Sequence, residues 1–371
     1  MELEDDLEQL NSLQILQELQ KVPVQELVSR HGLFEKFMFT KNPWKPIVDN
    51  HASKPFIPDD PKVLVSDGQF NQVPIIIGGN QDEGSMYMAQ FLLNPELFEE
   101  VHEKFDVDGP LLFLNVEEDE VHEQDSATAH LIKNEYLDGL HTNFTLDNWQ
   151  RIAKIFSDIV WLVPIDIQTR LLVEQSHQPI FYYRFKYVHN EAVFFPFSSL
   201  FLFSPFQHHF RFKGDASLSM TKYGNYDKIS RYDFGTCHAD DLFVLFRQES
   251  IKEDLKDQKM IKKMVNLWTK FAYTGVPDPD WQVLSKDNHQ WAALDHRKIR
   301  MEWDEDFAHK VEFVRSMFEV LNGYRNVKFQ DHPAVQAMLE QPDLEEGAIE
   351  FPDLAEIEKN LGPAADYHDE L

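Results

Sequence analysis

The 371-residue chain is short of positive charge, of cysteine and of long apolar runs, and each shortage excludes a class of protein. Its formal net charge is −29 at pH 7, so no basic surface is available to displace counterions from nucleic acid or to adsorb to anionic lipid. The single cysteine, Cys237, cannot form an intrachain disulfide. No stretch reaches the roughly 18 uninterrupted apolar residues that predict a membrane span. We therefore expect no nucleic-acid partner and no membrane span.

The two ends of the sequence point to different compartments. The first residues, MELEDDLEQL, lack the apolar segment of a secretory signal. The last four residues, His-Asp-Glu-Leu, spell a receptor-read address for retention in the endoplasmic reticulum. We expect the endoplasmic reticulum lumen, with the import signal encoded upstream of a truncated chain; the alternative is a chance acidic tail. In the lumen, Asn143 of the tripeptide NFT would be a glycosylation acceptor.

Apolar runs and helical periodicities alternate along the chain, which predicts an α/β fold. QVPIIIGGNQDEG (72–84) is an apolar run closed by glycines, typical of a parallel strand buried on both faces. Residues 145–175 have helical apolar spacing, with Thr145 as a candidate cap and Pro164 dividing two helices. Residues 178–187 alternate as a strand does, with one apolar face. The order strand, helices, strand predicts a parallel crossover.

The later segments extend this pattern to the end of the domain. An amphipathic segment before Gly275 predicts a helix that this glycine stops. Residues 281–303 predict a terminal strand pair, and the following periodic segment predicts a last helix that ends at Gly323. We expect residues 1–334 to form the folded domain and residues 335–371 to form a poorly packed acidic tail.

A carboxylate and a histidine are placed as an acid–base pair would be. Glu83 follows the first predicted strand, at the sheet edge where open α/β folds gather ligands. His238 lies in GTCHADDLF, on a predicted loop before an apolar helix. A carboxylate can orient a histidine and stabilise its cation, and acid before histidine is the order of α/β-hydrolases. Either residue alone is more often solvated or structural, and Asp82 is an equal candidate for the acid on composition.

A nucleophile to match this pair is missing from the sequence. The G-x-S-x-G elbow, whose glycines permit the strained turn that exposes a serine, is absent. EGSMY (83–87) has only the preceding glycine. Cys237 is adjacent to His238, and neighbouring residues seldom direct their side chains at each other. The sequence therefore offers a candidate acid and a candidate base without a nucleophile.

Metal and cofactor sites have equally little support. His238, Asp240 and Asp241 could in principle share a metal, as could the His208–His209 pair, but neither group has a diagnostic spacing. No P-loop or glycine-rich dinucleotide fingerprint occurs. We expect no metal and no cofactor.

From about residue 10 to residue 320 the sequence resembles the carboxylesterase/cholinesterase family, the type-B carboxylesterases of the α/β-hydrolase fold. PKVLVSDGQFNQVPIIIGGNQDEGSMY resembles the stretch that carries the triad acid, which falls on Glu83. GTCHADDLFVLF resembles the stretch that carries the triad histidine, which falls on His238. The resemblance covers only the family's C-terminal portion. It implies an incomplete, mostly parallel central sheet flanked by helices, without the serine elbow.

The resemblance implies that the chain is the C-terminal segment of a serine carboxylic ester hydrolase, supplying Glu83 and His238 and inactive as a truncated chain. The partner would be a small-molecule ester if the missing half is present, with the aromatic-rich segment 194–210 shaping the pocket. The first strand would have a bare edge, which favours self-association. The alternatives are a non-catalytic binding protein on an esterase scaffold and, from the acidic tail alone, a low-affinity cation binder.

Overall fold

The computed structural model describes residues 11–29, 36–37, 46–50, 52–116, 120–137, 143–188, 232–246 and 254–326. By its internal contacts the chain divides into two units, Met1–Glu312 and Phe313–Leu371. The first unit contains the sheet and the candidate site, and the described part of the second is the end of the last helix. The aromatic-rich segment 194–210 and the predicted tail 335–371 lie outside the described residues, so those expectations stay predictions.

The described part of the chain contains a sheet with strand order β1-β2-β3-β4. Strands β1 (Ile75–Asn80), β2 (Ile180–Phe185) and β3 (Trp291–Leu294) are parallel, and β4 (Arg300–Glu302) is antiparallel to β3. The predicted parallel crossover from β1 to β2 and the predicted terminal strand pair are therefore confirmed. Within the described residues, β1 pairs only with β2 and forms one edge of the sheet.

Burial is distributed differently from the expectation. All six residues of β2 are buried, whereas the first four residues of β1 are only half-buried. On one face of β2, Phe181, Tyr183 and Phe185 join a cluster with the apolar side of a later helix. On the other face, Arg184 packs its guanidinium carbon 4.5 Å from the ring centre of Trp291. Strand β2, which the alternation predicts to have one apolar face, is thus the strand covered on both sides.

Helices precede the sheet and fill the crossover. Before β1 the structure has α1 (Ser12–Leu19), α2 (Val24–Ser29) and α3 (Pro61–Ser66). The crossover from β1 to β2 contains α4 (Ser85–Leu93), α5 (Glu96–Glu103), α6 (Phe105–Leu114), α7 (Glu123–Leu137), α8 (Trp149–Phe156) and α9 (Val163–Gln175). Aromatic side chains form much of their core, for example Tyr87 and Phe156, whose stacked rings lie 4.7 Å apart. This contact packs α4, which begins two residues after Glu83, against α8.

The prediction of two helices within residues 145–175 is confirmed, but their boundary lies before Pro164. A π-helical turn, Ser157–Leu162, joins α8 to α9. Pro164 is the second residue of α9, where its missing N–H coincides with the change of hydrogen-bond register after the wide turn. Thr145 precedes a short 3-10 helix, Leu146–Asn148, and its side chain makes no capping hydrogen bond. The π turn cannot be read from apolar spacing, because the apolar residues continue through it.

The other helices among the described residues are α10 (Asp240–Leu245), α11 (Leu255–Thr274) and α12 (Glu305–Asn326). The predicted stop at Gly275 is confirmed: this residue has φ +72° and its N–H donates to the carbonyl of Phe271. The last helix continues past Gly323 to Asn326, so its predicted end is wrong. Among the described helices, none is both long enough and apolar enough to cross a membrane.

Candidate active site

The turn after β1 and the loop before α10 bring Glu83 and His238 together. Glu83 Oε2 lies 2.6 Å from His238 Nδ1. Glu83 is 5% exposed, whereas the His238 side chain is 32% exposed, so the carboxylate is inside and the imidazole reaches solvent. A carboxylate on Nδ1 orients the ring and leaves Nε2 to exchange protons with a reacting group. The two predicted site residues therefore meet, and their catalytic role stays a prediction.

Asp82, the rival for the role of acid, contacts the histidine loop at another point. Its Oδ2 accepts a hydrogen bond from the Thr236 backbone N–H at 2.9 Å, and its own N–H donates to the Thr236 carbonyl at 2.9 Å. Burial raises the pKa of Asp82 above its ordinary value. Glu83 is therefore the residue that contacts His238, and Asp82 joins the turn after β1 to the loop before α10 through its two hydrogen bonds with Thr236.

Gly235 allows the Asp82 carboxylate to approach the backbone of the loop before α10. Its φ is +63°, a conformation that residues with a Cβ rarely adopt. A Cβ at this position would lie 2.2 Å from Asp82 Oδ2. The glycine that opens GTCH is therefore required by both the backbone angle and the approach of the carboxylate.

Gly84 plays a similar part on the other side of Glu83. Its N–H donates to Ser157 Oγ at 2.9 Å, and Ser157 Oγ donates to the Ala153 carbonyl. A Cβ on Gly84 would lie 2.2 Å from the Ser157 backbone nitrogen. The turn that carries Glu83 is thus packed directly against the beginning of the π turn.

The π turn also carries Trp161, which covers one face of the histidine. The indole and imidazole centres are 4.4 Å apart, with the rings inclined at 37°. Among the described residues, His238 Nε2 makes no hydrogen bond, so the ring is fixed by Glu83 and Trp161 and its second nitrogen is left for chemistry.

Two nearby residues could be considered as nucleophiles, and neither has the geometry. Cys237 is 7% exposed, and burial followed by the charge of Asp240 raises the pKa of its thiol, which disfavours the reactive thiolate. Ser85, the first residue of α4, is 5% exposed and makes no side-chain hydrogen bond to His238. Neither residue supplies a nucleophile to Nε2.

Two acidic side chains near the Glu83–His238 pair are largely buried. Burial raises the pKa of Asp240 well above its ordinary value and also raises the pKa of Asp241, with Glu83 contributing in both cases. Within the described ranges, no group of three or more His, Cys, Asp or Glu side chains is arranged to hold a metal ion, and His208–His209 lie outside those ranges. The described site therefore consists of a histidine–carboxylate pair beside buried acidic side chains.

Sequence reasoning missed two residues of this site, Asn80 and Trp161. Asn80 is a fully buried amide at the last position of β1 and contacts both segments. A polar side chain at the end of an apolar strand is a weak signal that could have singled it out. Trp161 has no such signal, because it occupies one more apolar position in a helical pattern.

A mostly parallel sheet that presents an acid after one strand to a histidine on a later loop is the arrangement of an α/β-hydrolase. A family model described as the carboxylesterase family matches residues 5–314. The chain therefore belongs to the carboxylesterase family.

Relatives of known sequence agree with this assignment. Venom carboxylesterase-6 of Apis mellifera is 25% identical over 310 residues, which cover 81% of this chain and 50% of the relative. Juvenile hormone esterase of Tribolium castaneum is 25% identical over 304 residues, which cover 78% of this chain and 45% of the relative. The chain thus spans about half the length of the curated relatives it matches. That the matched half is the C-terminal one stays a prediction.

A solved structure shares the fold. Juvenile hormone esterase from Manduca sexta, with OTFP covalently attached, superimposes with a TM-score of 0.63 at 16% identity. The match covers 84% of this chain and 53% of that one. At this identity the likeness establishes the α/β-hydrolase fold and nothing finer.

Proposed function

We propose that this chain provides the acid and the base of carboxylic ester hydrolysis by a serine-esterase mechanism. The 2.6 Å contact between Glu83 Oε2 and His238 Nδ1, with Nε2 unengaged among the described residues, carries the proposal. Membership of the carboxylesterase family supports it. The substrate class would be small-molecule carboxylic esters.

The steps follow from the roles of the two residues. Nε2 of His238 takes the proton of a serine hydroxyl as its oxygen bonds to the ester carbonyl carbon, and Glu83 stabilises the resulting imidazolium. The imidazolium then gives this proton to the alkoxide that leaves as an alcohol. Water repeats the sequence on the acyl-enzyme, releasing the carboxylic acid and the serine hydroxyl.

The serine belongs to polypeptide outside these 371 residues in this proposal. The printed sequence has no G-x-S-x-G motif, which supports that part of it. We accordingly propose that the chain by itself does not turn over esters.

The test begins with the native protein, captured by an antibody against the last twenty residues. Its intact mass is compared with 43.6 kDa, and its hydrolysis of a nitrophenyl ester is measured. We expect a larger mass, and activity that falls on the order of 10⁴-fold in His238→Gln and Glu83→Gln. His296→Gln, at an exposed position, is the matched control and keeps full activity. Hydrolysis that survives His238→Gln contradicts the proposal, as does a native 43.6 kDa species that binds esters without hydrolysing them.

The open edge of β1 is the basis for a proposed self-association. Ile75 and Gln81 donate their N–H groups toward β2, so the backbone groups of alternate residues face the other side. Asn80 satisfies its outward N–H on Glu83, while Ile76 and Gly78 have no backbone partner there among the described residues. Sedimentation of the isolated chain should show oligomers that Ile76→Pro reduces and Ile77→Val does not. A monodisperse monomer contradicts this part.

We also propose residence in the endoplasmic reticulum lumen, on the strength of the terminal His-Asp-Glu-Leu. Asn143 is exposed, and its backbone carbonyl, not its side chain, is engaged by Asn148. A luminal chain should therefore carry a glycan that an endoglycosidase removes and that Asn143→Gln abolishes. A native protein whose electrophoretic mobility is unchanged by the endoglycosidase counts against the assignment.

A further inference from the structure

We infer that Asn80 is the positioning residue that sets the geometry between Glu83 and His238. The inference rests on the proposed function in that it concerns the same site. Asn80 is 1% exposed and is the last residue of β1. Among the described residues it contacts both the carboxylate of Glu83 and the segment that carries His238.

The backbone of Asn80 fixes the carboxylate. Its N–H points away from β2 and donates to Glu83 Oε1 at 2.7 Å, in a buried contact. Glu83 Oε2 is the atom that contacts His238. One carboxylate oxygen is therefore anchored on the strand and the other is directed at the imidazole.

The side chain of Asn80 fixes the histidine loop. Its Nδ2 donates to the carbonyl of Cys237, the residue before His238, at 2.7 Å, and lies 3.3 Å from Asp241 Oδ1. The Cys237 carbonyl also accepts the Asp240 N–H at a longer 3.2 Å. Asp241 is in turn held by the hydroxyl of Tyr183 on β2, at 2.9 Å from Oδ2. The amide thus links the end of β1 to the loop, and Tyr183 links β2 to the first turn of α10, which directly follows that loop.

The side-chain carbonyl oxygen of Asn80 indicates that stability alone does not explain this arrangement. Asn80 Oδ1 is buried and makes no hydrogen bond in the described part of the structure. A buried carbonyl oxygen without a hydrogen bond is costly and needs an explanation, of which a functional role is one. The Asp82 side chain, by comparison, accepts the Thr236 N–H and makes no hydrogen bond to the side chain of Glu83 or His238 in the described part of the structure.

The residue type follows from these contacts. An aspartate would place a carboxylate against the Cys237 carbonyl and Asp241, and so would repel both acceptors. An alanine would remove the donor and leave the backbone contact to Glu83 in place. Because active-site geometry tolerates little displacement, a shift of about 1 Å can lower turnover about 10²-fold.

The test is the proton NMR spectrum of the intact chain, with ¹⁵N-labelled histidine, in water at low temperature. A short hydrogen bond between histidine and carboxylate places the ring N–H proton far downfield, and His238→Gln assigns this resonance. We expect Asn80→Asp to abolish it or move it upfield. Asn94→Asp is the matched control, since Asn94 Nδ2 also donates to a backbone carbonyl, that of Gln90, at 3.3 Å.

A second pair in the same chain reports on folding. His289 Nε2 lies 2.9 Å from Asp166 Oδ2, and its resonance should be unchanged in Asn80→Asp. If that resonance is lost as well, Asn80→Ala takes its place as the deciding variant. A wild-type His238 resonance in the folded Asn80 variant, or none at all in the wild type, overturns the inference.

The outcome is separable from that of the proposed function. In the native hydrolase, Asn80→Asp should lower kcat about 10²-fold with KM unchanged. A resonance that depends on Asn80 in a native protein without esterase activity contradicts only the proposed function. Activity that requires His238 but is indifferent to Asn80 contradicts only this inference.

Discussion

Among the described residues, two histidines contact deeply buried carboxylates, and the two pairs are built differently. His238 uses Nδ1 to reach Glu83, and its side chain is 32% exposed. His289 uses Nε2 to reach Asp166, and its side chain is 8% exposed. Thr169 Oγ1 lies 3.1 Å from the same Nε2. Nε2 of His289 is therefore occupied, whereas Nε2 of His238 is available.

The positions of the pairs along the strands explain this difference. Glu83 follows the carboxyl end of β1, while His289 precedes the amino end of β3, which is parallel to β2 and hence to β1. Ligands of open α/β sheets gather beyond the carboxyl ends of the strands. A histidine–carboxylate contact is thus a poor guide to function by itself. The end of the sheet and the exposure of the imidazole distinguish the candidate catalytic pair from the buried one.

The pKa values of the buried aspartates shift in opposite directions in the two regions. Burial alone would raise the pKa of Asp166, but His289 and then Arg170 outweigh it, so the pKa is lowered. Around His238, burial prevails and raises the pKa of Asp82, Asp240 and Asp241. Opposite charges stabilise the ionised form of Asp166, whereas burial opposes the ionisation of Asp82, Asp240 and Asp241 beside the candidate active site.

The largest effect should come from Gly84→Ala, which forces the turn that carries Glu83 away from α8 and the π turn. The new Cβ would lie 2.2 Å from the Ser157 nitrogen and 2.4 Å from the Ala153 carbonyl, both backbone atoms that cannot easily move. We expect the free energy of unfolding to fall by about 3 kcal/mol or more, measured by urea denaturation. Gly79→Ala is the control, since its Cβ meets nothing closer than 3.1 Å. Equal losses in both variants would show that the turn is not specially packed.

Replacing Asp166 should cost more stability than replacing Glu83. Asp166→Ala leaves His289 and Arg170 without their buried carboxylate, so we expect a loss of about 3 kcal/mol in the free energy of unfolding. Glu83→Gln can keep its single amide oxygen as acceptor for the buried Asn80 N–H and then loses the acceptor only for the partly exposed His238 Nδ1, so it should cost about 1 kcal/mol. A larger loss in Glu83→Gln than in Asp166→Ala would reverse the comparison and make the first pair the structural one.

The sequence was sufficient for the features that depend on local pattern. The crossover from β1 to β2, the stop at Gly275 and the terminal strand pair all follow from apolar spacing and turn residues, and the structure confirms them. The resemblance to a family predicted Glu83 and His238, which the structure brings together. These elements share short-range signals that a single sequence contains.

The features that sequence reasoning missed depend on contacts between distant segments. Asn80 acquires its role from the carbonyl of Cys237, which lies far along the chain, and no local pattern around either residue reveals the contact. The π turn that carries Trp161 continues the apolar spacing of its neighbours, so the helix was expected to break at Pro164 instead. The choice of Glu83 over Asp82 likewise required the observed direction of each side chain.

A smaller effect, opposite in sign for the two regions, should appear in the pH dependence of stability. Because the folded pKa of Asp240 is raised, its ionisation opposes folding: stability should decline as pH rises from the ordinary value of 3.8 toward the folded pKa. Asp240→Asn keeps an acceptor for the Cys237 N–H and should remove this decline, gaining about 1 kcal/mol at neutral pH.

Asp166 should behave in the opposite way. Its lowered pKa contributes stability that is present above 3.8 and is lost as pH falls through the folded value. Asp166→Asn should flatten the acid side of the profile and leave the decline due to Asp240 in place. Urea denaturation across the pH range measures both variants. A stability curve for Asp240→Asn that still parallels the wild type above pH 3.8 would show that Asp240 does not resist ionisation.

The smallest effect should come from Thr169→Val. This variant tests whether losing the Thr169 contact is enough to make His289 reactive. The variant removes the hydroxyl that lies 3.1 Å from His289 Nε2 and donates to the Asp166 carbonyl, so we expect a loss of about 1 kcal/mol. Asp166 still occupies Nε2, and the ring stays buried. Diethylpyrocarbonate, followed by peptide mass spectrometry, should therefore modify His238 before His289 in wild type and variant alike. Rapid modification of His289 in Thr169→Val would mean that the hydroxyl, and not the carboxylate and the burial, separates the two pairs.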